Sequence, residues 1–303
     1  MNNANEVLGF LHAFFGLGGA VGPVLATSLV TKAHWKWYEC YYLMIGAAVI
    51  EFAALVSAFW GATGKVFRDE HPSTTLTGSP SPEVGLALEH EARKGRLFRI
   101  STATRKKSRT AEALSNKITW LTACYLLVYV GVEVAIAGWV VTFMLRVRHG
   151  TPFASGMVST GFWAGVTVGR VVLGFVTSRV FRTEKHAIVT YMAATVVLEL
   201  LFWLVPHFVV SAVTVAFLGF FLGPLFPAAI VAATKLLPKH LHVAGIGFAA
   251  ALGASGACIF PFAVGAIAQV RGVQVLQPIV LAMLVVDLGI WLLIPKLPKV
   301  RMV

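Results

Sequence analysis

Long apolar stretches separated by short polar breaks dominate the pattern of this chain. Eight stretches are about 20 residues or longer, the length that crosses a bilayer, and their breaks carry Pro, Gly or charged residues. A backbone in lipid must satisfy its own hydrogen bonds, and no stretch alternates as a barrel strand does, so each predicts a helix. The predicted spans are 8–30, 41–60, 118–145, 153–177, 187–206, 208–234, 243–270 and 275–294. The pattern therefore predicts an all-α polytopic membrane protein with eight transmembrane helices.

One long polar segment, 61–117, separates two spans from the six that follow. Its stretch 71–82 is rich in Pro, Ser and Thr, a composition typical of a disordered linker. The run 83–100 supports a short helix on the membrane surface. The basic cluster 105–110 favours a juxtamembrane anchor over a phosphorylation site at Ser108. This segment is the one predicted domain boundary.

Composition agrees with this interpretation, because 57% of the residues are apolar, 13% are charged and the mean hydropathy is +0.79. Three cysteines, Cys40, Cys124 and Cys258, lie at or inside apolar runs, and their odd number implies no disulfide framework. The sequence contains no metal-ligand spacing, no Gly-x-Ser-x-Gly elbow and no phosphate-binding loop. We therefore expect no enzyme, no metal and no cofactor.

The net charge of +12 is explained by basic residues on one face of the membrane and does not indicate a nucleic-acid-binding surface. With a cytoplasmic N-terminus, 19 of the 25 Lys and Arg residues fall in inside segments, five fall outside, and Arg170 alone lies within a span. The positive-inside rule therefore predicts that both termini are cytoplasmic. A basic inner face matches anionic lipid, and no nucleic-acid partner is expected.

A weak internal repeat crosses the long polar segment. Gly22 and Pro23 in the first span are followed by Glu51 in the second, and Pro261 in the seventh span is followed by Asp287 in the eighth. Two such pairs in parallel topology indicate related halves, as in a class of transporters.

This arrangement resembles helices five to twelve of a major facilitator superfamily transporter, with the first four helices absent. The pair Gly22 and Pro23 resembles the fifth-helix motif, and the residues that resemble the helix-eight-to-nine signature are Gly169, Arg170, Gly174 and Arg179. Ser178 and Phe181 depart from that signature, which puts a charge relay at the turn in doubt. The resemblance divides the chain into 1–60, the last two helices of an N-terminal half; 61–117, a cytoplasmic linker; 118–295, a six-helix C-terminal half; and 296–303, a cytoplasmic tail.

Three segments, 129–139 (YVGVEVAIAGW), 161–165 (GFWAG) and 219–227 (GFFLGPLFP), are similar to fungal members related to the fucose-permease-like branch. The resemblance implies secondary transport of a small organic solute by alternating access. A sugar-like solute and proton coupling are the refinements it suggests. The alternatives are a drug or metabolite efflux antiporter and a truncated membrane remnant that does not transport.

Glu133 is the main candidate for binding a solute or a proton. Tyr125 and Tyr129 precede it by eight and four residues, which places two hydroxyls and an acid on one helix face. The resemblance implies that this helix lines the central cavity. Trp139 and Trp163 are further candidates, because their rings could stack on a sugar.

The other polar and helix-breaking positions point to structure or gating. Arg170 is interpreted as a cytoplasmic-side residue, and counting 1.5 Å per residue places it poorly for pairing with Glu133. The prolines that interrupt helical hydrogen bonds in mid-span are Pro224, Pro227 and Pro261. Close-approach glycines include Gly22 and Gly169, whereas Pro23 and Gly174 are candidates through the two motifs named above. For the buried acids Glu51, Glu199 and Asp287, we expect pairing between helices or with local water.

Overall fold

The computed structural model describes residues 4–62, 66, 109–181 and 183–297, with the backbone alone for 4–11 and Ser178. Within these residues, eight helical segments are long and apolar enough to cross a membrane. The helices are α1 (Ala4–Thr31), α2 (Cys40–Phe59), α3 (Arg109–Leu114), α4 (Lys117–Arg146), α5 (Pro152–Val180), α6 (Glu184–Leu204), α7 (Phe208–Leu222), α8 (Leu225–Leu236), α9 (His242–Arg271) and α10 (Leu276–Leu293). The predicted all-helical membrane fold is confirmed.

The predicted spans agree with the helices to within a few residues, with one internal difference. The span predicted as 208–234 consists of two helices, α7 and α8, which meet at Gly223 and Pro224. Pro224 and Pro227 lack the backbone N–H that a continuous helix needs, so the helix breaks there. Pro261, by contrast, lies inside an unbroken α9.

Polar residues define several of the helix ends. Asn116, Thr151 and Thr183 cap the N-termini of α4, α5 and α6, because their side chains accept hydrogen bonds from backbone N–H groups of the first turn. The short stretch Val205 to His207 separates α6 from α7, as the sequence predicted. The chain therefore crosses twice within 184–236.

The described chain falls into two compact units. The first comprises 1–35 and 108–303, and within it α1 packs along α5 while α9 packs along α4. The second comprises 36–107 and contains α2, which has no buried residue. The predicted linker features at 71–82, 83–100 and 105–108 lie outside the described residues. The four-part division of the chain remains a prediction.

Glycines bring α5 and α7 into backbone contact. A Cβ atom added at Gly169 would lie 1.9 Å from the carbonyl oxygen of Phe220, and one added at Gly165 would lie 2.0 Å from that of Ala216. Such approach is the usual role of small residues between membrane helices. It fixes α5, and with it Arg170, against the helix break.

Candidate functional site

Arg170 is the centre of a buried polar cluster that joins four helical segments. Its Nη2 atom donates to Glu133 Oε1 on α4 at 2.9 Å, and its Nη1 atom donates to the backbone carbonyl of His12 on α1 at 2.8 Å. Its Nε atom donates to the carbonyl of Gly223, at the end of α7, at 3.2 Å. Arg170 and Glu133 are only 3% and 4% exposed, so the ion pair is shielded from solvent.

The Gly223 carbonyl is available because of the helix break. In a continuous helix this oxygen would accept from the N–H of residue 227, but that residue is Pro227 and has none. A carbonyl without a partner is costly in the apolar interior of a membrane protein, and the guanidinium of Arg170 satisfies it. Arg170 therefore has two roles: it pairs with Glu133, and it stabilises the break between α7 and α8.

Two tyrosines extend the cluster along α4. The hydroxyl of Tyr129 lies 3.1 Å from both Glu133 Oε1 and the carbonyl oxygen of Leu222, either of which can accept its single proton. The ring of Tyr125 stacks on that of Tyr129, with centroids 6.3 Å apart. Both tyrosines are fully buried, so the predicted polar face is covered by protein in this conformation.

The expectation that Glu133 and Arg170 are poorly placed to pair was wrong. The structure extends α5 to Val180, which puts Arg170 ten residues from its end rather than seven. Side chains also lean toward the N-terminus of their helix, and α4 and α5 run in opposite directions. The long side chains of Glu133 and Arg170 therefore lean toward each other, which makes up the remaining difference in depth between their backbone positions.

The two candidate tryptophans lie apart from this cluster and pack between helices. Trp139 Nε1 donates to the carbonyl of Pro261 on α9 at 3.0 Å. Trp163 packs against Gly19 of α1, where an added Cβ would lie 2.6 Å from the indole. A stacking role toward a solute remains a prediction for both.

The candidate gating residues divide into two groups. Gly174, Pro224 and Pro227 line a small cleft together with Arg170, and Gly169 packs directly against the first half of the broken helix. Arg179 is exposed, and its guanidinium lies 5.3 Å from the ring centroid of Phe175.

Of the three remaining candidates of this kind, Pro261 lies in α9 and the other two lie in α1. Pro23 is accommodated inside this helix, and the position next to it, Gly22, faces open space. The structure therefore places Gly169, Gly174, Pro224 and Pro227 next to the ion pair of Arg170 and Glu133. It does not place Arg179, Gly22 or Pro23 there.

The three other acids have different surroundings. Glu51 is exposed on α2. Glu199 on α6 and Asp287 on α10 are each 1% exposed. Among the described residues, neither oxygen of Glu199 and not Oδ1 of Asp287 has a hydrogen-bond partner. The expected pairing between helices is thus not observed for these atoms.

Several polar contacts near the helix ends were not anticipated from the sequence. Glu184 forms an ion pair with Lys235 of α8, and the ammonium of Lys185 donates to the last carbonyls of α10. At the opposite face, Arg148 donates to Ser211 Oγ at 3.0 Å and to the carbonyl of Phe202 at 2.7 Å. Partial burial lowers the pKa of the Arg148 guanidinium from its ordinary value. The helix ends that Lys185 and Arg148 bind are distant in the sequence, so no local signal could have found these contacts.

The eight spans, the helix broken by prolines and the buried ion pair define a polytopic membrane protein built like a secondary transporter. Residues 2–261 match the family model described as Major Facilitator Superfamily, and the chain belongs to that family. This family and its fold are typical of transporters rather than of enzymes.

Two of the known proteins that are similar to this chain show how far the likeness extends. The Bypass of stop codon protein 6 of Saccharomyces cerevisiae is 31% identical over 303 residues, a match that covers 97% of this chain and 59% of the yeast protein. The chain therefore spans less than two thirds of that relative's length. A crystal structure of the E. coli fucose:proton symporter matches with a TM-score of 0.56 at 12% identity, covering 97% of this chain and 87% of the symporter. That likeness supports the fold alone.

Proposed function

We propose that this chain forms part of a secondary transporter that moves a small organic solute across a membrane by alternating access, coupled to protons. Family membership supports a transporter in general. The observation that carries the proposal further is the buried ion pair of Arg170 and Glu133. A charge inside a membrane span is expensive, by roughly 2.5–3.5 kcal/mol on insertion scales, and such groups usually mark a solute or proton pathway.

The position of this ion pair suits a conformational switch. Arg170 holds the backbone of α1, the side chain of Glu133 and the carbonyl at the broken helix at the same time. Any movement of α1 along α5 must break at least the bond to His12. Protonation of Glu133 would remove its negative charge and weaken the hold on Arg170, which couples proton uptake to release of these helices.

A sugar-like solute is the proposed substrate class. Hydroxyl groups can replace the partners of Tyr129 and Glu133 once the ion pair opens, because a carboxylate accepts and a phenol both donates and accepts hydrogen bonds. Tyr125 and Tyr129 also present aromatic rings next to these groups. The name of the fucose:proton symporter agrees with this class.

We propose the orientation of the chain on independent grounds. The excess of Lys and Arg in alternate connecting segments favours both termini in the cytoplasm. The partners under this proposal are the solute, protons and the lipid bilayer.

The test is uptake of labelled fucose and other monosaccharides into vesicles that contain the protein, with and without an inward proton gradient. Intact mass of the mature protein is measured first, so that the transported species is known. We expect Glu133→Gln to abolish the stimulation by the gradient. Glu51→Gln, which removes an exposed acid, is the matched control and should retain it.

Two results would contradict the proposal. If uptake by the Glu133→Gln variant responds to the gradient as the parent protein does, Glu133 does not couple protons. If the mature protein has 303 residues and transports none of the solutes in either direction, the alternative of a non-transporting membrane protein is favoured. Export of loaded solute without import would instead favour an efflux antiporter.

A further inference from the structure

A second acid lies at the far end of the polar face that contains Glu133. Asp287 on α10 is 1% exposed, and its Oδ1 atom has no hydrogen-bond partner among the described residues. The hydroxyl of Tyr125 on α4 is likewise buried and without a partner among them. A buried carboxylate without hydrogen bonds is strongly disfavoured, whereas a protonated carboxyl can donate to such a hydroxyl.

The packing of α10 on α4 brings these two groups into one neighbourhood. The ring of Tyr125 contacts that of Trp291, with centroids 4.9 Å apart. Asp287 precedes Trp291 by four residues and therefore lies on the same face of α10.

From Tyr125 the buried groups continue to the ion pair. Tyr125 stacks on Tyr129, whose hydroxyl lies 3.1 Å from Glu133 Oε1, and Arg170 binds that same oxygen. Glu133 is eight residues beyond Tyr125 along α4, or roughly 12 Å. A unit charge at this separation, with an effective dielectric constant of about 20, shifts a titration by about one pH unit.

The charged groups on the other elements packed against α10 have partners elsewhere or are exposed, except Glu199 of α6, which is buried and has no hydrogen-bond partner among the described residues. On α6, Lys185 binds the carbonyls at the end of α10, Glu184 pairs with Lys235, and Tyr191 lies 3.0 Å from Thr177 Oγ1. On α9, His242 lies 2.9 Å from the Leu237 carbonyl, and Cys258 and Arg271 are exposed. Within the described residues, no cation forms an ion pair with Asp287.

We propose that Asp287 is a second proton-binding site, and that its affinity for the proton depends on the ion pair of Glu133 and Arg170. The proton adds to the carboxylate of Asp287 to form a neutral carboxylic acid. Small movements of the two side chains then let this acid donate to the Tyr125 hydroxyl, because the two groups are not hydrogen-bonded in the conformation described. Asp287 lies six residues, roughly 9 Å, from the end of α10, so it is nearer to the membrane face where α4 begins. The site goes beyond the proposed solute and proton role of Glu133.

Infrared difference spectroscopy of the protein in lipid vesicles tests this proposal during a pH titration. The carbonyl stretch of a protonated carboxyl is separate from that of a carboxylate. We expect Asp287→Asn to remove one such band, and Tyr125→Phe to keep the band at a changed frequency because the hydrogen-bond acceptor is lost.

We expect Glu133→Gln to move the midpoint of the Asp287 band toward lower pH by about one unit, because the uncompensated guanidinium of Arg170 opposes a proton there. Glu199→Gln is the control, since it removes a buried acid on another helix and should leave this midpoint unchanged.

Three results would overturn the proposal. An unchanged spectrum in Asp287→Asn would show that Asp287 holds no proton. An unchanged midpoint in Glu133→Gln, or an equal shift in Glu199→Gln, would show that the site is not linked to the ion pair. If Asp287→Asn does not fold, Tyr125→Phe decides, because an unchanged band frequency would exclude the predicted hydrogen bond. The measurement uses no solute, so its failure is separate from failure of the transport assay.

Discussion

Replacing Arg170 by Met removes the guanidinium while retaining a long, flexible apolar side chain. The substitution leaves Glu133 in the interior with only the hydroxyl of Tyr129 as a donor. It also leaves the carbonyls of His12 and Gly223 without the bonds that Arg170 gives them. The consequence should therefore be measurable as a loss of stability, independently of transport.

The size of this loss follows from the burial of the pair. Removing one partner of a buried ion pair costs about 3–5 kcal/mol, mainly because the other charge is left uncompensated. Both side chains are almost completely shielded, so solvent does not reduce this figure. Replacing both partners is far less costly, because no charge remains in the interior. The combined variant should therefore lose no more than either single variant, which corresponds to a coupling energy of at least about 3 kcal/mol between the two positions.

The assay is a double-mutant cycle on the free energy of unfolding in detergent micelles, followed by tryptophan fluorescence. The variants are Arg170→Met, Glu133→Gln and the two combined. Arg170→Lys is added because an ammonium cannot reproduce the planar arrangement of three donors toward three acceptors, and it should recover only part of the loss.

Additive effects in this cycle would refute the reasoning. If the combined variant loses the sum of the two single losses, Arg170 and Glu133 do not act as a pair. If Arg170→Met is as stable as the parent protein, the cluster has no role in holding α1 and the broken helix.

Two further predictions concern packing. Gly169→Ala should lower the unfolding free energy by about 1–3 kcal/mol, because the added Cβ would lie 1.9 Å from the Phe220 carbonyl oxygen and α5 must move away. Gly161→Ala is the control, because its added Cβ would lie 3.7 Å from the nearest atom. Equal unfolding free energies of the two variants would contradict this explanation. Trp139→Phe should cost about 1 kcal/mol of unfolding free energy through loss of the hydrogen bond to the Pro261 carbonyl. A large rise in KM for uptake would instead assign Trp139 to the solute site.

Much of the fold was predictable because the bilayer sets the length and polarity of each span. The eight spans and the turn at Val205 to His207 follow from hydropathy and from Pro and Gly positions. Pro224 and Pro227 predicted a kink in the sixth span, but the structure has a complete break. The two missing N–H groups together end one helix and begin another.

Contacts of the site that lie within one helix could be predicted from the sequence, but contacts between two helices could not. Tyr129 and Glu133 are four residues apart on α4, and their hydrogen bond follows from helical periodicity. The bond between Glu133 and Arg170 depends on the relative depth and lean of two helices, which residue counting along each helix does not give. The carbonyl of Gly223 could have been found, because Pro227 stands four residues after it.

Pro227 and Arg170 lie on different helices, but they are linked through the carbonyl of Gly223. The proline leaves the Gly223 oxygen without a donor, and the arginine, 57 residues earlier in the chain, supplies one. A lineage that lost the arginine would be left with an unsatisfied carbonyl, whereas one that lost the proline would still need the arginine for Glu133 and His12. Related sequences that keep the proline should therefore keep the arginine as well.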